Sequence, residues 1–315
     1  MSTIATTSQI ATSAPLKRLI SSHPLVAYFV IAFAGTWLLD LPAILGKNGL
    51  GLLPFTVPFL LFAMLFVLSS FAGPTLGAFV VTAITDGKPG VRHLLRRYVQ
   101  WRVGIQWYLL VLLGYPVVYL LATSIFLGAA PFSALLHNWP LLFTSYLPAI
   151  LLFPGIITLG EEPGWRGFAL PRLQQAFGPF IGTLILGALH GLWHLPIFLI
   201  AFFGTGPFVS PLPYLTNVLQ IMVITFIWTW VFNKARGSIL IAFLNHSAFN
   251  ACGALFVILV PVMPLGGRAA VYALAVVALL IIILTRGRLG YQPEQNAQLI
   301  KAPRPAETLL TNVER

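Results

Sequence analysis

Residues 56–84 read TVPFLLFAMLFVLSSFAGPTLGAFVVTAI, and no ionisable side chain falls anywhere in the stretch. A helix needs roughly 20 apolar residues to cross the hydrocarbon core of a bilayer, so this segment is long enough to span one. Further apolar stretches lie at about 24–45, 105–128, 141–159, 177–203, 212–233, 238–260 and 268–285. Together they predict an all-α, polytopic transmembrane helical bundle of about eight spans.

Composition supports that reading. Of 315 residues, 58% are hydrophobic and only 8% charged, and the mean hydropathy is +0.90. A soluble domain carries about a quarter charged residues, so this chain lacks the polar surface to face water. One cysteine, Cys252, excludes an intramolecular disulfide framework. The expected division is an N-terminal tail over 1–23, a bundle over 24–286 and a disordered tail over 287–315. The Ser/Thr-rich start and Lys17-Arg18 precede an apolar segment too long for a signal-peptide core, which therefore reads as a retained first span.

The net charge of +11 comes from 18 Lys and Arg against 7 Asp and Glu. With eight spans and both ends inside, only Lys47 and Arg268 fall on the outer side. The other basic residues lie in the N-terminal tail, the 86–104 loop, the 160–173 segment, the Lys234–Arg236 turn or the C-terminal tail. That is the positive-inside pattern: it predicts cytoplasmic termini and assigns the basic excess to topology and lipid headgroups, not to nucleic acid. The run with Arg92, Arg96, Arg97 and Arg102 is interleaved with Leu94, Leu95, Tyr98, Val99 and Trp101. It reads as an amphipathic helix on the anionic inner leaflet.

Ionisable groups within spans are costly, so each is a functional candidate. Asp40, Glu161, Glu162, His190, His194 and His246 are the ones that remain. Most fall in three short motifs: Glu161-Glu162-Pro-Gly-Trp-Arg166, His190-Gly-Leu-Trp-His194 and Asn245-His246-Ser-Ala-Phe-Asn250. Glu162 and Arg166, His190 and His194, and His246 and Asn250 are each four apart, so each pair shares a helix face. Lipid rejects such faces and the bundle interior accepts them, which predicts convergence. Carboxylates, imidazoles and an amide in one cavity suit hydrolysis: a carboxylate as general base on water, and His and Asn donors for the oxyanion. The plain structural readings are an ion pair for Glu162–Arg166, interhelical hydrogen bonds for the histidines and packing for Asp40.

The same three motifs, in this order and ending the second in His194-Leu-Pro196, resemble the CPBP intramembrane protease family. That family includes the type II CAAX prenyl endopeptidases and bacterial relatives linked to bacteriocin processing and self-immunity. The resemblance covers about 140–260. It implies that Glu161 activates water with His194, that His246 and Asn250 form the oxyanion hole, and that Glu162 and Arg166 position the helix carrying Glu161. One departure is His190, where the family usually has phenylalanine; it is a candidate accessory residue or metal ligand. The family is often labelled metalloprotease. Glu161, His194 and His246 would make a two-histidine, one-carboxylate zinc set, whereas a glutamate–histidine mechanism needs no cofactor.

The expectation is thus an intramembrane endopeptidase of a bacterial plasma membrane, acting on a membrane-associated peptide or protein of CAAX-like or bacteriocin-type character. Its partners would be the lipid bilayer and that substrate. Two other classes stay open: a non-catalytic immunity or binding protein, and a proton-coupled transporter using the Glu and His residues as a relay.

Overall fold

The protein, described as a computed structural model over residues 13–200, 211–260 and 264–301, is a bundle of helices. In chain order they are α1 (Ser13–Ser22), α2 (Pro24–Leu45), α3 (Phe59–Thr85), α4 (Gly87–Tyr98), α5 (Ile105–Leu127) and α6 (Ala130–His137). A long interrupted helical run, α7 (Leu142–Trp193), follows. Then come α8 (Leu195–Phe198), α9 (Leu212–Lys234), α10 (Ile239–Leu259), α11 (Pro264–Leu284) and α12 (Pro293–Ile300). Among the described residues, α2, α3, α5, α7, α9 and α10 are long and apolar enough to cross a membrane, and Ala269–Leu284 of α11 is a shorter apolar helix. Leu60, Ile125 and Leu284 are 72%, 79% and 80% exposed on its outside. Such a surface is stable in lipid, where exposed leucine carries no penalty.

The expected fourth and fifth spans join in α7, and the basic segment between them is not a surface loop. Every residue from Gly160 to Pro171 is buried. Arg166, assigned by the topology to the inner surface, has 0% exposure. The reason is local. Pro163 has no N–H to continue the helix, and the chain absorbs the break as a wider π turn over Pro163–Ala169, a device common at functional sites. Two hydroxyls reach the neighbouring carbonyls: Thr75 donates to Gly160 O at 2.6 Å, and Tyr98 to Leu159 O at 3.5 Å. A second π turn, Phe71–Thr75 around Pro74, packs against the first. Further along, Gly178 takes φ +76, a left-handed conformation that favours glycine, and kinks α7.

Beyond the kink, α7 lies along α9. A Cβ placed on Gly187 would stand 2.8 Å from Met222 Cα, and one on Gly191 would stand 2.9 Å from Val218 Cα. This small-xxx-small spacing lets the two backbones touch and fixes the face bearing His190. The packed interior has two main clusters: one around Tyr115, Trp228, Cys252 and Phe256, the other around Tyr28, Trp165, Phe168 and Phe232.

The basic loops gather at one end of the bundle although they are far apart in sequence. Arg97 Nε donates to Gly237 O at 3.0 Å and Nη1 to Gly167 O at 2.8 Å; Arg236 Nη2 donates to Arg102 O at 3.0 Å. The expected amphipathic helix is α4, and it turns Gly90, Leu94 and Arg97 inward while Leu95 and Arg96 stay exposed.

The tails differ from expectation where they are described. Residues 13–22 form α1, and residues 293–300, assigned to a disordered tail, form α12. Its Leu299 and Asn296 are buried, and Asn296 Nδ2 donates to Pro171 O at 2.9 Å. Docking on α7 gives this short polar helix the partners its sequence alone does not display. Residues 1–12, 302–315 and the 201–203 end of the expected fifth span lie outside the described residues.

Candidate active site

Glu161 and Glu162 close the straight part of α7 just before the π turn, so consecutive carboxylates point to different neighbours. Glu161 Oε2 accepts from His190 Nε2 at 2.9 Å. Glu162 Oε1 accepts twice, from Arg166 Nη1 at 2.8 Å and from His246 Nδ1 at 2.8 Å. Both glutamates, Arg166, His190 and His246 are buried. A charge taken out of water needs such partners, because an isolated one costs several kcal/mol.

The spacing argument thus meets a definite geometry. The i, i+4 pair Glu162–Arg166 is an ion pair with both side chains 1% exposed. The i, i+4 pair His190–His194 is joined through the backbone: His194 Nδ1 donates to His190 O at 2.8 Å. A carbonyl only accepts, so the proton sits on Nδ1 and Nε2 keeps its lone pair. Aromatic rings pack against these groups. Trp165 lies over His190 at 4.7 Å between centroids, and Trp228 over His246 at 4.4 Å. The Arg166 guanidinium sits 4.6 Å above the Trp228 ring, a favourable cation–π arrangement. Trp228 itself is anchored: its Nε1 donates to Tyr115 Oη at 2.9 Å, which donates to Asn245 Oδ1 at 2.7 Å. The hydroxyls of Thr158 and Ser247 bond to each other and tie α7 to α10.

A cavity of about 300 Å³ opens against this cluster, and Glu161, His190, His194, His246 and Asn250 all line it. The three sequence motifs therefore face one space. Glu162 and Arg166 stand behind it and do not line it, and Asp40 lies apart from it. The rest of the wall is largely apolar, including Phe66, Ile157 and Phe249. Asn217 and Gln220 of α9 also line the cavity. Sequence reasoning passes over them because it takes up amides only beside an ionisable residue, as in Asn245-His246 and Asn250. Two amides three apart in an apolar span carry the same signal in weaker form.

Ligand atoms of Glu161, His190 and His194 lie within 4.8 Å of one another. Two imidazoles and a carboxylate suit zinc with a position left for water, and a ligating histidine typically donates its other ring N–H to a carbonyl, as His194 does. The residues therefore fit a divalent ion, through His190 in place of the His246 expected from the motifs. His246 gives Nδ1 to Glu162 instead.

Fold and site together define a polytopic helical membrane protein with a buried glutamate–histidine cluster opening on an apolar cavity. Residues 143–252, which contain all three motifs, match the family of type II CAAX prenyl endopeptidases described as Rce1-like. The chain is also 27% identical over 183 residues to the CAAX prenyl protease 2 of Methanococcus maripaludis, covering 55% of this chain and 66% of that protein. The resemblance to the CPBP family drawn from the motifs is borne out by both matches.

Proposed function

We propose that this chain is an intramembrane endopeptidase, hydrolysing a peptide bond of a membrane-associated substrate of CAAX-like or bacteriocin-type character. The observation that carries the reading is the common cavity: Glu161, His190, His194, His246 and Asn250 all line one space of about 300 Å³. The matched relative is named for a prenyl protease activity, and the apolar wall suits a lipid-bearing or hydrophobic peptide.

In the proposed mechanism the Glu161 carboxylate takes a proton from a cavity water as the water attacks the scissile carbonyl. His190 holds the other side of that carboxylate in register. His194, with Nε2 free, accepts from the water and orients it, and Glu161 then gives the proton it took to the leaving amine. The Asn250 amide donates to the oxyanion, and His246, held by Glu162 through Nδ1, lines the cavity beside it. Glu162 and Arg166 do not touch substrate; they fix His246 and the π turn. A divalent ion held by Glu161, His190 and His194 would add Lewis-acid polarisation of the carbonyl.

We place the enzyme in a bacterial plasma membrane with its arginine-rich end in the cytosol. The support is the crowding of basic loops at that end. The test is cleavage of a membrane-anchored, fluorogenic prenylated CAAX peptide in proteoliposomes. Removing a general base costs about 10²–10⁴ in rate, so Glu161→Gln should lose at least two orders of magnitude. A folded Glu161→Gln protein that cleaves at the normal rate would overturn the assignment.

A further inference from the structure

A second depression lies at the basic end, away from the cavity just described. It measures about 350 Å³ and is lined by His93, Arg96, Arg97, Gln100, Trp101 and Arg102. Three guanidiniums thus share one small space. Among the described residues no carboxylate pairs with any of them: Asp86 is joined to Arg172, Glu161 to His190, and Glu162 to Arg166 and His246. Arg236 stands next to this cluster, bonded to Arg102 O and accepting from Gln100, and it too has no acidic partner among the described residues.

The inner wall is built, not incidental. Arg97 is 3% exposed; its hydrogen bonds go to the carbonyls of Gly237, Gly167 and Leu299, and its guanidinium lies 5.5 Å over the Phe232 ring. Its Nη2 has no hydrogen-bond partner among the described residues, nor has His93 Nε2. Burial, and after it the charge of Arg172, pull Arg97 down to about 9. Burial and then Arg97 pull His93 below its usual range. Proteins rarely leave buried cations without a counter-charge, since each costs several kcal/mol. An anion in the depression would relieve that cost.

The outer rim is apolar. Val99, Trp101 and Ile105 are 70%, 60% and 70% exposed, with the Arg102 guanidinium 5.0 Å over the Trp101 ring. An aromatic ring beside arginines at a helix end is the composition of a membrane–water interface. We propose that this depression binds a phosphate-bearing anion, the headgroup of an anionic phospholipid or a free phosphate of the same chemistry. Arg96, Arg97 and Arg102 take the phosphate oxygens in this site, and Trp101 and Val99 meet the glycerol and upper acyl chain of a lipid. Guanidiniums suit the role because their fork geometry matches phosphate oxygens. The site is independent of the hydrolytic reading and stands or falls without it.

The experiment uses the full-length protein in detergent and reads lipid retention by native mass spectrometry and melting temperature. The probes are phosphatidylglycerol, phosphatidylcholine and inorganic phosphate. Retention of phosphatidylglycerol over phosphatidylcholine is expected, falling about five-fold for each guanidinium removed (about 1 kcal/mol per charge) in Arg96→Gln and Arg102→Gln. Both residues are exposed, so these variants test the site even where Arg97→Gln does not fold. Phosphate that raises the melting temperature of the native protein but not of the double variant, without any lipid preference, assigns the site to the free anion. No preference among the three probes, or a double variant that binds as the native protein does, overturns the proposal.

Discussion

Arg166 and Arg97 are 0% and 3% exposed, and their surroundings treat the same charge in opposite ways. Arg166 meets a carboxylate, Glu162, four residues earlier on its own chain, and a tryptophan face supplied by α9. Its neighbourhood is electrically closed, and the closure orients His246 as well. Arg97 lies 5.5 Å over the Phe232 ring and otherwise meets only carbonyl oxygens, from three separate segments, with no carboxylate. Those dipoles solvate the guanidinium but leave its charge uncancelled, so the potential reaches the surface beside Arg96 and Arg102. One arginine builds a rigid polar site inside lipid-facing walls; the other keeps a positive interface. The identity of the residue does not decide its role; the charge state of its partners does.

That contrast is open to direct attack. Arg166→Met leaves Glu162 charged and buried, which should cost about 3–5 kcal/mol. The loss should appear in reversible unfolding in mixed micelles, together with loss of peptide cleavage. Adding Glu162→Gln to Arg166→Met removes the stranded charge, and stability should then return in large part while cleavage stays low. A double variant as unstable as the single one would show that packing, not charge, governs this spot.

Gly164 tests the geometry behind the pair. A Cβ there would stand 2.6 Å from the Pro74 carbonyl oxygen and 2.5 Å from Tyr28 Oη. Overpacking of this kind costs about 1–3 kcal/mol, so Gly164→Ala should lower stability by that amount and push the two π turns apart. Unchanged melting and cleavage would mean that the two turns are not in tight contact.

Arg97→Met removes hydrogen bonds to neutral groups and strands no charge, so about 1–3 kcal/mol is expected from the carbonyls left unpaired. It should fall below Arg166→Met in the same assay. Equal losses would break the comparison. Arg102→Gln, at the exposed rim, should stay within about 0.5 kcal/mol of the native protein and change only salt-dependent attachment to anionic vesicles.

Much of the site is legible in the sequence. Glu161, Glu162, Arg166, His190, His194, His246 and Asn250 stand out because lipid makes polar residues conspicuous, and helical spacing matches the contacts of Glu162 with Arg166 and of His194 with His190. What spacing does not reveal is which nitrogen meets which oxygen. The family resemblance has His194 assist Glu161 in activating water; that His190 is the one hydrogen-bonded to Glu161 is visible only in the structure. The kink at Gly178 and the π turn at Pro163 set that choice, and neither shifts a hydropathy profile. Trp228, Asn217 and Gln220 escape notice because their span carries no ionisable residue before Lys234, and only the packing of the bundle brings them to the cavity.

The sequence by itself determined that the chain is a membrane-embedded helical bundle, because apolar runs of about 20 residues have no other stable solvent. It also marked the three polar motifs, because burying them apart would leave each unsatisfied. Only the tertiary structure decided that Arg166 lies inside while its basic neighbours lie at an end, that residues 293–300 dock as a helix, and that Arg97 turns inward without a carboxylate. Those outcomes depend on long-range partners such as Asn296 with Pro171 and Arg97 with Gly237. Local periodicity cannot encode such pairings, since they form only when distant turns are brought to one end of the bundle.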